Sequence, residues 1–363
     1  YIQRMLRRGS KTFDSIGILK KGRKMQKGGE YFLMLISCPP KFFLASYEVT
    51  LAAGEKGLLL PPYKGSTLRG SFARVFQRLV CVKHGGSGCG DCLVRESCPY
   101  HLVFETSPPS QARFLRNYAT IPRPFILDPP PEQKTDYAPG ETLVFQLTLV
   151  GKARNLLPYF IVTLEELGRL GMGKGRRPFA VREIAARGPD GAKKTVYRGK
   201  EGVVRPAELP VSAEEIWRAG QAAADRPPRE KVALVFHTPT RLTFQGNFAP
   251  RPEFHILIRN LLRRVSSLCY FYHGQEWNAD FPGIIRRAEE VRLREDRTRW
   301  LDWERYSSRQ DAKMKLGGFV GEAVYTGPVD DFWPLLKLGE LVHVGKGGVF
   351  GLGKFAVRDL CTE

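Results

Sequence analysis

One order of predicted strands and helices occurs twice in this sequence, with a glycine-rich loop at the same place in each copy. In both halves a strand and an amphipathic helix are followed by two strands, a second helix, the loop and a last strand. The loops span residues 168–175 and 345–353, and Gly173-Lys174 corresponds to Gly353-Lys354. This β-α-β-β-α-β order is typical of ferredoxin-like units. We therefore predict an α+β protein with two tandem ferredoxin-like domains, each with a glycine-rich loop before its last strand.

The spacing of apolar residues locates these elements. Positions 43–51 alternate between apolar and polar residues, as in a half-buried strand, and positions 68–79 and 254–268 carry apolar residues at helical spacing. A cysteine-rich insertion interrupts the first copy, and short strands are expected near 102–105 and 121–127.

The domain boundaries follow from where the pattern stops and restarts. The first 33 residues carry a local charge of +7 and no periodicity, so they form either an RNA-binding arm or, if Met34 is the true start, a segment foreign to the native protein. We predict a basic tail over 1–33, a first domain over 34–187 with its insertion near 81–101, a connection over 188–228 and a second domain over 229–363.

The charge balance favours a polyanionic partner. The chain has 57 Lys+Arg against 37 Asp+Glu, a formal net charge of +20. Charge alone does not separate RNA from DNA, an anionic membrane or simple solubility. No apolar run approaches the ~18–20 residues of a membrane span, and the seven cysteines do not resemble a secreted disulfide framework. We expect a cytoplasmic protein outside the membrane.

The second glycine-rich loop has the composition of a phosphate-binding backbone. Five glycines in ten positions allow close approach and can present N–H groups to anionic oxygens. Gly348, Gly353 and Lys354 fit the spacing G-x-x-x-x-G-K, but Phe355 stands where Ser or Thr is required and the loop precedes a strand. Nucleotide hydrolysis is therefore excluded. The alternative is that the glycines only form a tight turn between helix and strand.

Four cysteines lie close together in the insertion. Cys81, Cys89, Cys92 and Cys98 could supply four thiolates to a structural zinc ion with no open position for water. The spacing is not that of a standard zinc finger. An iron–sulfur cluster and reduced thiols in a surface loop are the alternatives.

Histidines are candidates for acid/base chemistry near neutral pH. His343 lies two residues before the second glycine loop and His84 just after the first helix, so both could face a phosphate held by the loop. The others are expected to be structural or exposed: His101, His237, His255 and His273.

Aromatic and arginine residues interleave over positions 292–309, including Trp300, Trp303 and Tyr306. On a sheet surface this mixture could stack unpaired bases and bind phosphates. The alternative is that the tryptophans are core residues and the arginines are solvated.

Three segments resemble the CRISPR repeat-processing endoribonucleases of the RAMP superfamily: PPYKGSTLRG at 61–70, DWERYSSRQ at 302–310 and LVHVGKGGVFGLGKF at 341–355. The resemblance runs from about Met34 to the C-terminus. It implies metal-independent cleavage of precursor CRISPR RNA within its repeats, by 2′-hydroxyl attack that leaves a 2′,3′-cyclic phosphate and a mature guide RNA.

The resemblance also implies site residues. His343, His84 and Tyr306 are the catalytic candidates, and no cofactor is needed for the reaction. The basic side chains and glycines implied in RNA contact are Lys64, Arg69, Lys174, Arg176, Arg177, Arg309, Gly345, Lys346, Gly347, Gly348, Gly351, Gly353 and Lys354.

Two other functions remain open at this point. A non-catalytic RAMP subunit would bind guide RNA beside other CRISPR effector subunits without cutting it. A zinc-dependent nucleic-acid regulator would bind through residues 81–98. We prefer the endoribonuclease, acting on precursor CRISPR RNA as a monomer or homodimer.

Overall fold

The computed structural model describes residues 36–82, 89–108, 112–113, 121–221, 227–302, 304–307, 312–315 and 317–360. Among these residues, no helix is long and apolar enough to cross a membrane.

The first half is built around one antiparallel sheet. Its strands are β1 Phe43–Ala53, β2 Leu58–Leu59, β3 Phe125–Asp128, β4 Asp136–Tyr137, β5 Thr142–Val150, β6 Phe179–Arg187, β7 Lys193–Arg198, β8 Val203–Val204 and β9 Pro210–Ser212. Its helices are α1 Gly65–Val80, α2 Pro99–Val103 and α3 Leu157–Leu170. The sheet has the order β3-β5-β1-β6-β7-β8, with β9 paired to the start of β1, and β2 pairs with β4 separately.

The second half contains a four-stranded antiparallel sheet in the order β13-β16-β10-β17. Its strands are β10 Lys231–Thr240, β11 Thr243–Phe244, β12 Asn247–Phe248, β13 Arg292–Leu301, β14 Glu304–Ser307, β15 Ala312–Lys315, β16 Gly318–Thr326 and β17 Phe355–Asp359. Helix α4, Ala213–Gln221, precedes this sheet, and α5 Phe254–Leu268, α6 Phe281–Glu289 and α7 Trp333–Val342 connect its strands. The four main strands of both halves therefore have the same arrangement in space: second, third, first, fourth.

Each sheet buries one face under helices. In the first half the ring of Phe72 on α1 lies 5.0 Å from that of Phe160 on α3, and Phe125 on β3 closes the same cluster. In the second half Phe236 on β10 packs 4.9 Å from Phe319 on β16. Each such buried aromatic side chain stabilises the fold by about 1.5–3 kcal/mol.

The buried apolar residues form two clusters, one almost entirely within the first half and one that includes residues of both halves. Phe42 and Leu44, at the start of the first sheet, belong to the same buried cluster as Leu261 of α5. The segment expected to be a connection contains β7, β8, β9 and α4, and Trp217 of α4 is buried in that cluster. The domain boundaries drawn from the sequence stay a prediction.

The prediction of a strand near residues 102–105 is wrong. Pro99–Val103 forms the short helix α2, because a proline is well suited to the first turn of a helix and Tyr100 and Val103, three residues apart, bury one face. The neighbouring strand expected near 121–127 is confirmed as β3.

Candidate functional site

The second glycine-rich loop lies at the seam between the two halves. Its short turn Gly348–Phe350 contacts α1 and β3 of the first half. The hydroxyl of Tyr63, just before α1, donates a hydrogen bond to the carbonyl oxygen of Phe350. From the second half, the hydroxyl of Thr238 donates to the carbonyl oxygen of Gly351 over 2.8 Å. The loop is therefore held from both sides.

Glycine is required at this seam for steric reasons. A Cβ atom at Gly65 would lie 2.0 Å from the carbonyl oxygen of Phe350, and one at Gly351 would lie 2.3 Å from Cδ of Pro129. Gly351 also has φ +79°, a conformation that side chains rarely adopt. These glycines allow two backbones to touch across the seam, which the sequence pattern did not indicate.

Only the first part of the loop faces outward. Lys346 is exposed and Gly345 and Gly347 are partly exposed, whereas Gly348, Gly351 and Gly353 are buried. The RNA contacts expected at these three buried glycines do not fit their positions, because Arg264 covers Gly348, Pro129 covers Gly351 and the backbone of Val344 covers Gly353. The Lys346 ammonium lies 5.3 Å from the ring of Phe248, whose side chain is 45% exposed. A cation and an aromatic ring are thus presented together at the surface.

Lys354, at the end of the loop, crosses the seam. Its ammonium pairs with the carboxylate of Asp128 on β3 at 2.5 Å. Burial raises the pKa of Asp128, and the charge of Lys354 opposes that effect. The Lys354 side chain nevertheless stays partly exposed.

Two basic residues at the start of α1 differ in their exposure. The Arg69 guanidinium, which is partly exposed, lies over the rings of Phe104 at 5.3 Å and Phe350 at 5.5 Å. Lys64 is only 1% exposed, and its ammonium donates to the carbonyl oxygens of Pro62 and Glu132. The expected RNA contact of Lys64 is therefore not supported, because its charge is enclosed by the protein.

His343 is buried beneath the loop. It is 4% exposed, and its Nδ1 lies 3.1 Å from the carbonyl oxygen of Leu352. Burial first, and then the charge of Arg264, lowers the pKa of His343 to about 3. This position does not favour a catalytic role for His343, because the imidazole is enclosed beneath the loop; the role itself stays an untested prediction.

The structure gives no side-chain position for the other two catalytic candidates, His84 and Tyr306. His84 and Arg309 lie outside the described residues. Tyr306 lies on β14, where the backbone alone is described. Their roles stay predictions.

The sequence pattern did not indicate a functional role for Arg264, because this residue lies within the apolar stripe of α5. Its Nε donates to the carbonyl oxygen of Val342 over 2.6 Å, and its guanidinium lies against Gly348. Burial lowers the pKa of Arg264 to about 10. It places a positive charge directly under the glycine loop.

The first glycine-rich loop packs against β2. The backbone N–H of Lys174 donates to the carbonyl oxygen of Leu59, and the guanidinium of Arg177 donates to that of Lys56. The Lys174 and Arg176 side chains are exposed, so they are free to meet a polyanion.

The four clustered cysteines are free thiols. Burial raises the pKa of Cys89, and the charges of Glu105, Cys98, Cys81 and Cys92 add to this effect, so the four thiols share one neighbourhood. In the part of the chain that the structure describes, no group of three or more His, Cys, Asp or Glu side chains is arranged to hold a metal ion. A structural zinc ion stays a prediction.

Two family models match different parts of the chain. Residues 234–355 match the model of the CRISPR-associated endoribonuclease Cas6, and residues 41–209 match a model described as the AF_1859 N-terminal domain. An uncharacterised protein of Archaeoglobus fulgidus is 24% identical over 306 residues, which cover 83% of this chain and 93% of the relative.

Solved structures share the fold. A product complex of a Thermus thermophilus Cas6 protein aligns with a TM-score of 0.52 and 18% identity, over 87% of this chain and 99% of that one. A partial Cas6-RT-Cas1–Cas2 complex aligns with a TM-score of 0.52 and 12% identity, over 89% of this chain and 47% of the other.

The mixed α+β architecture with two antiparallel sheets is thus shared with the solved Cas6 structure. Over residues 234–355 the match to the Cas6 family model agrees with the resemblance to CRISPR repeat-processing endoribonucleases drawn from the sequence motifs.

Proposed function

We propose that this protein is an endoribonuclease that cuts precursor CRISPR RNA within its repeats. The observation that carries the proposal is the seam itself, where a Cas6-family glycine loop meets the start of α1 and presents Lys346, Arg69 and Lys354. Exposed arginine and lysine side chains beside an accessible backbone suit the phosphates of an RNA strand.

The proposed reaction is attack of a 2′-hydroxyl on the adjacent phosphorus, without a metal ion, leaving a 2′,3′-cyclic phosphate. Such a site needs a base near the hydroxyl, an acid near the leaving 5′-oxygen and donors for the charge that develops on the phosphate. Lysine and arginine at the seam would supply the last of these. Among the acid/base candidates from the sequence, His84 and Tyr306 are retained and His343 is not.

The two halves are proposed to be tandem ferredoxin-like domains, divided near residues 188–228. The strand order shared by the two sheets supports this division. The proposed partner is precursor CRISPR RNA, with other CRISPR effector subunits as further partners, and the protein would act in the cytoplasm as a monomer or homodimer.

We also propose a structural zinc ion on Cys81, Cys89, Cys92 and Cys98. Four thiolates suit Zn²⁺ as a closed tetrahedral site, and the ion would link the end of α1 to α2. Its role would be to stabilise the insertion, not to act on RNA.

The burial of His343 favours a second candidate function, that of a guide-binding subunit. A Cas6-family protein whose loop histidine is enclosed could bind guide RNA in an effector complex without cutting it. This candidate predicts tight binding of the repeat and intact RNA.

Incubation of the protein with end-labelled RNA spanning a CRISPR repeat of its source genome, in EDTA, tests the two functions. The endoribonuclease is expected to cut at one position and leave a cyclic phosphate. His84→Ala and Tyr306→Phe identify which side chain contributes to the reaction. Binding without cleavage by the unaltered protein would overturn the enzyme and support the guide-binding subunit.

A further inference from the structure

We propose that His237, with Asp128 and Lys354 beside it, is the proton-accepting group of a catalytic site at the seam. The inference rests on the proposed RNA cleavage and identifies a residue for it. His237 would accept the proton of the attacking 2′-hydroxyl, and Lys354 would face the phosphate.

The backbone places His237 beside the end of the glycine loop. Phe236 on β10 pairs with Phe355, the first residue of β17, and the continuation of this register places His237 opposite Lys354 at the end of the loop. The N–H of His237 donates to the carbonyl oxygen of Lys354 over 2.9 Å. Directly opposed residues on antiparallel strands have Cβ atoms about 4.5–5.5 Å apart and project to the same face of the sheet.

That face is the one turned away from the apolar core. Phe236 and Phe355 are 2% exposed, whereas His237 is exposed and Lys354 partly exposed. Asp128, at the end of β3 in the first half, reaches Lys354 across the seam. The imidazole of His237 on β10, the ammonium of Lys354 at the end of the loop and the carboxylate of Asp128 on β3 thus lie close enough to influence one another electrostatically.

His237 has the most accessible imidazole among the described histidines. Both ring nitrogens of His273 contact backbone oxygens, of Leu268 and Phe43, and His343 is buried. The ring of His101 is bonded to Ser107, and that of His255 packs edge-on against Phe244. A group that exchanges protons with a substrate must be reachable, which favours His237.

The charges around His237 favour its neutral form. Burial and the positive charge of Lys354 lower its pKa, Arg358 on β17 adds to this, and Asp128 on β3 and Glu340 on α7 act in the opposite direction. A neutral imidazole near pH 7 is suited to accept a proton.

The proposed reaction balances with water as a proton carrier that is not consumed. The bond from the 2′-oxygen to phosphorus forms while the bond from phosphorus to the 5′-oxygen breaks. The 2′-hydroxyl proton moves to the imidazole of His237, and the departing 5′-oxygen takes a proton from water. The hydroxide that remains then takes the proton from His237, which returns the imidazole to its neutral form. The ammonium of Lys354 would offset the negative charge that accumulates on the phosphate oxygens.

The test compares His237→Ala with the unaltered protein on the same end-labelled repeat RNA in EDTA. General base catalysis contributes about 10²–10⁴-fold, so the cleavage rate is expected to fall by that factor while the dissociation constant for uncleaved RNA stays the same. Added imidazole should restore part of the rate. In the unaltered protein the rate should rise with pH as the imidazole loses its proton, and this rise should be absent from His237→Ala.

His255→Ala is the matched control, because it removes a histidine from α5 and should leave cleavage unchanged. If the unaltered protein binds RNA without cutting it, the proposed function fails and the assignment fails with it. If the unaltered protein cuts and His237→Ala cuts equally fast, only the assignment is overturned. A variant that loses binding and cleavage together, without rescue by imidazole, would show a structural role and also overturn it.

Discussion

The ammonium of Lys354 pairs with the carboxylate of Asp128, 226 positions earlier in the chain, and this pair joins the end of the glycine loop to the first sheet. The same loop receives a hydrogen bond from Tyr63, 287 positions before Phe350. Polar contacts thus hold the second glycine-rich loop against segments of the first half that are far from it in sequence. The geometry of any RNA site at the seam depends on both of them.

Lys354→Met should destabilise the protein. Asp128 is 9% exposed, and removal of its partner leaves a largely buried carboxylate without its counter-charge. We expect a loss of about 1–3 kcal/mol in the free energy of unfolding by urea at pH 7. The pKa of Asp128 should rise further, so the loss should shrink at pH 4.

The double variant Lys354→Met, Asp128→Leu is the control for this prediction. It removes both charges together, and should recover most of the stability that Lys354→Met loses. If Lys354→Met unfolds at the same urea concentration as the unaltered protein, the pair contributes nothing to joining the halves.

Gly65→Ala and Gly70→Ala should have opposite effects on stability, although both lie on α1. An added Cβ at Gly65 meets the carbonyl oxygen of Phe350, whereas nothing lies within 4 Å of one at Gly70. Overpacking at Gly65 should cost about 1–3 kcal/mol. Gly70→Ala should gain about 0.5–1 kcal/mol, because alanine favours a helix interior over glycine. Thermal unfolding of the two variants checks this, and equal midpoints would show that the seam yields to the added atom.

His343 should make the protein less stable in acid. Its pKa is about 3 in the folded state and near 6.5 when exposed, so the unfolded chain binds a proton that the folded protein does not. Above pH 6.5 this difference in proton binding does not affect the free energy of unfolding. As the pH falls from 6.5 toward 3, the free energy of unfolding decreases by at most about 1.4 kcal/mol per pH unit.

His343→Asn tests this effect, because asparagine keeps a polar side chain at this position but does not titrate. Urea unfolding of both proteins between pH 7 and pH 5 should show a shallower loss of stability in the variant. Parallel pH dependences would mean that the imidazole reaches water in the folded protein.

The sequence predicted the repeat and most of its elements, because β1, α1 and α5 bury one face each and therefore carry a clear apolar period. It did not predict the short helix α2, whose five residues are too few to show a period. The burial of Lys64 and His343 was also unpredictable. Neither side chain lies on a periodic element, and each is enclosed by contacts with distant residues, Glu132 for Lys64 and Leu352 with Arg264 for His343.

The site was predicted only in part, because a local motif is visible in the sequence whereas contacts between distant residues are not. The motif around the second glycine loop located the seam, since its glycines are adjacent in sequence. The partners that complete the seam, Asp128 and Gly65, come from the first half and carry no local signal of their role. Arg264 and His237 were also undervalued, because only the tertiary structure brings them to the loop.

Lys346→Met should weaken binding of all RNA sequences by about the same factor, because a phosphate contact does not depend on the bases. Lys346 is exposed at the outer part of the loop, and loss of one phosphate contact should lower the slope of log affinity against log salt by about 0.7–0.9. Lys200→Met is the matched control, because Lys200 is also exposed but lies in the turn between β7 and β8, at the opposite edge of the first sheet from β3. Filter binding at several salt concentrations measures both slopes, and equal slopes in the two variants would place the RNA away from the loop.

The cysteine cluster should bind one zinc ion if its four thiols act together. Protein purified without chelator is expected to contain about one equivalent of zinc, by analogy with other Cys₄ sites, and Cys92→Ser should lose it. Cys38→Ser is the control, because Cys38 lies outside the insertion and should leave the zinc content unchanged. Removal of the ion should lower the unfolding temperature and leave RNA cleavage in EDTA intact at low temperature, since the site holds no position for water. Metal-free protein with an unchanged unfolding temperature would show that the thiols are simply reduced side chains of the insertion.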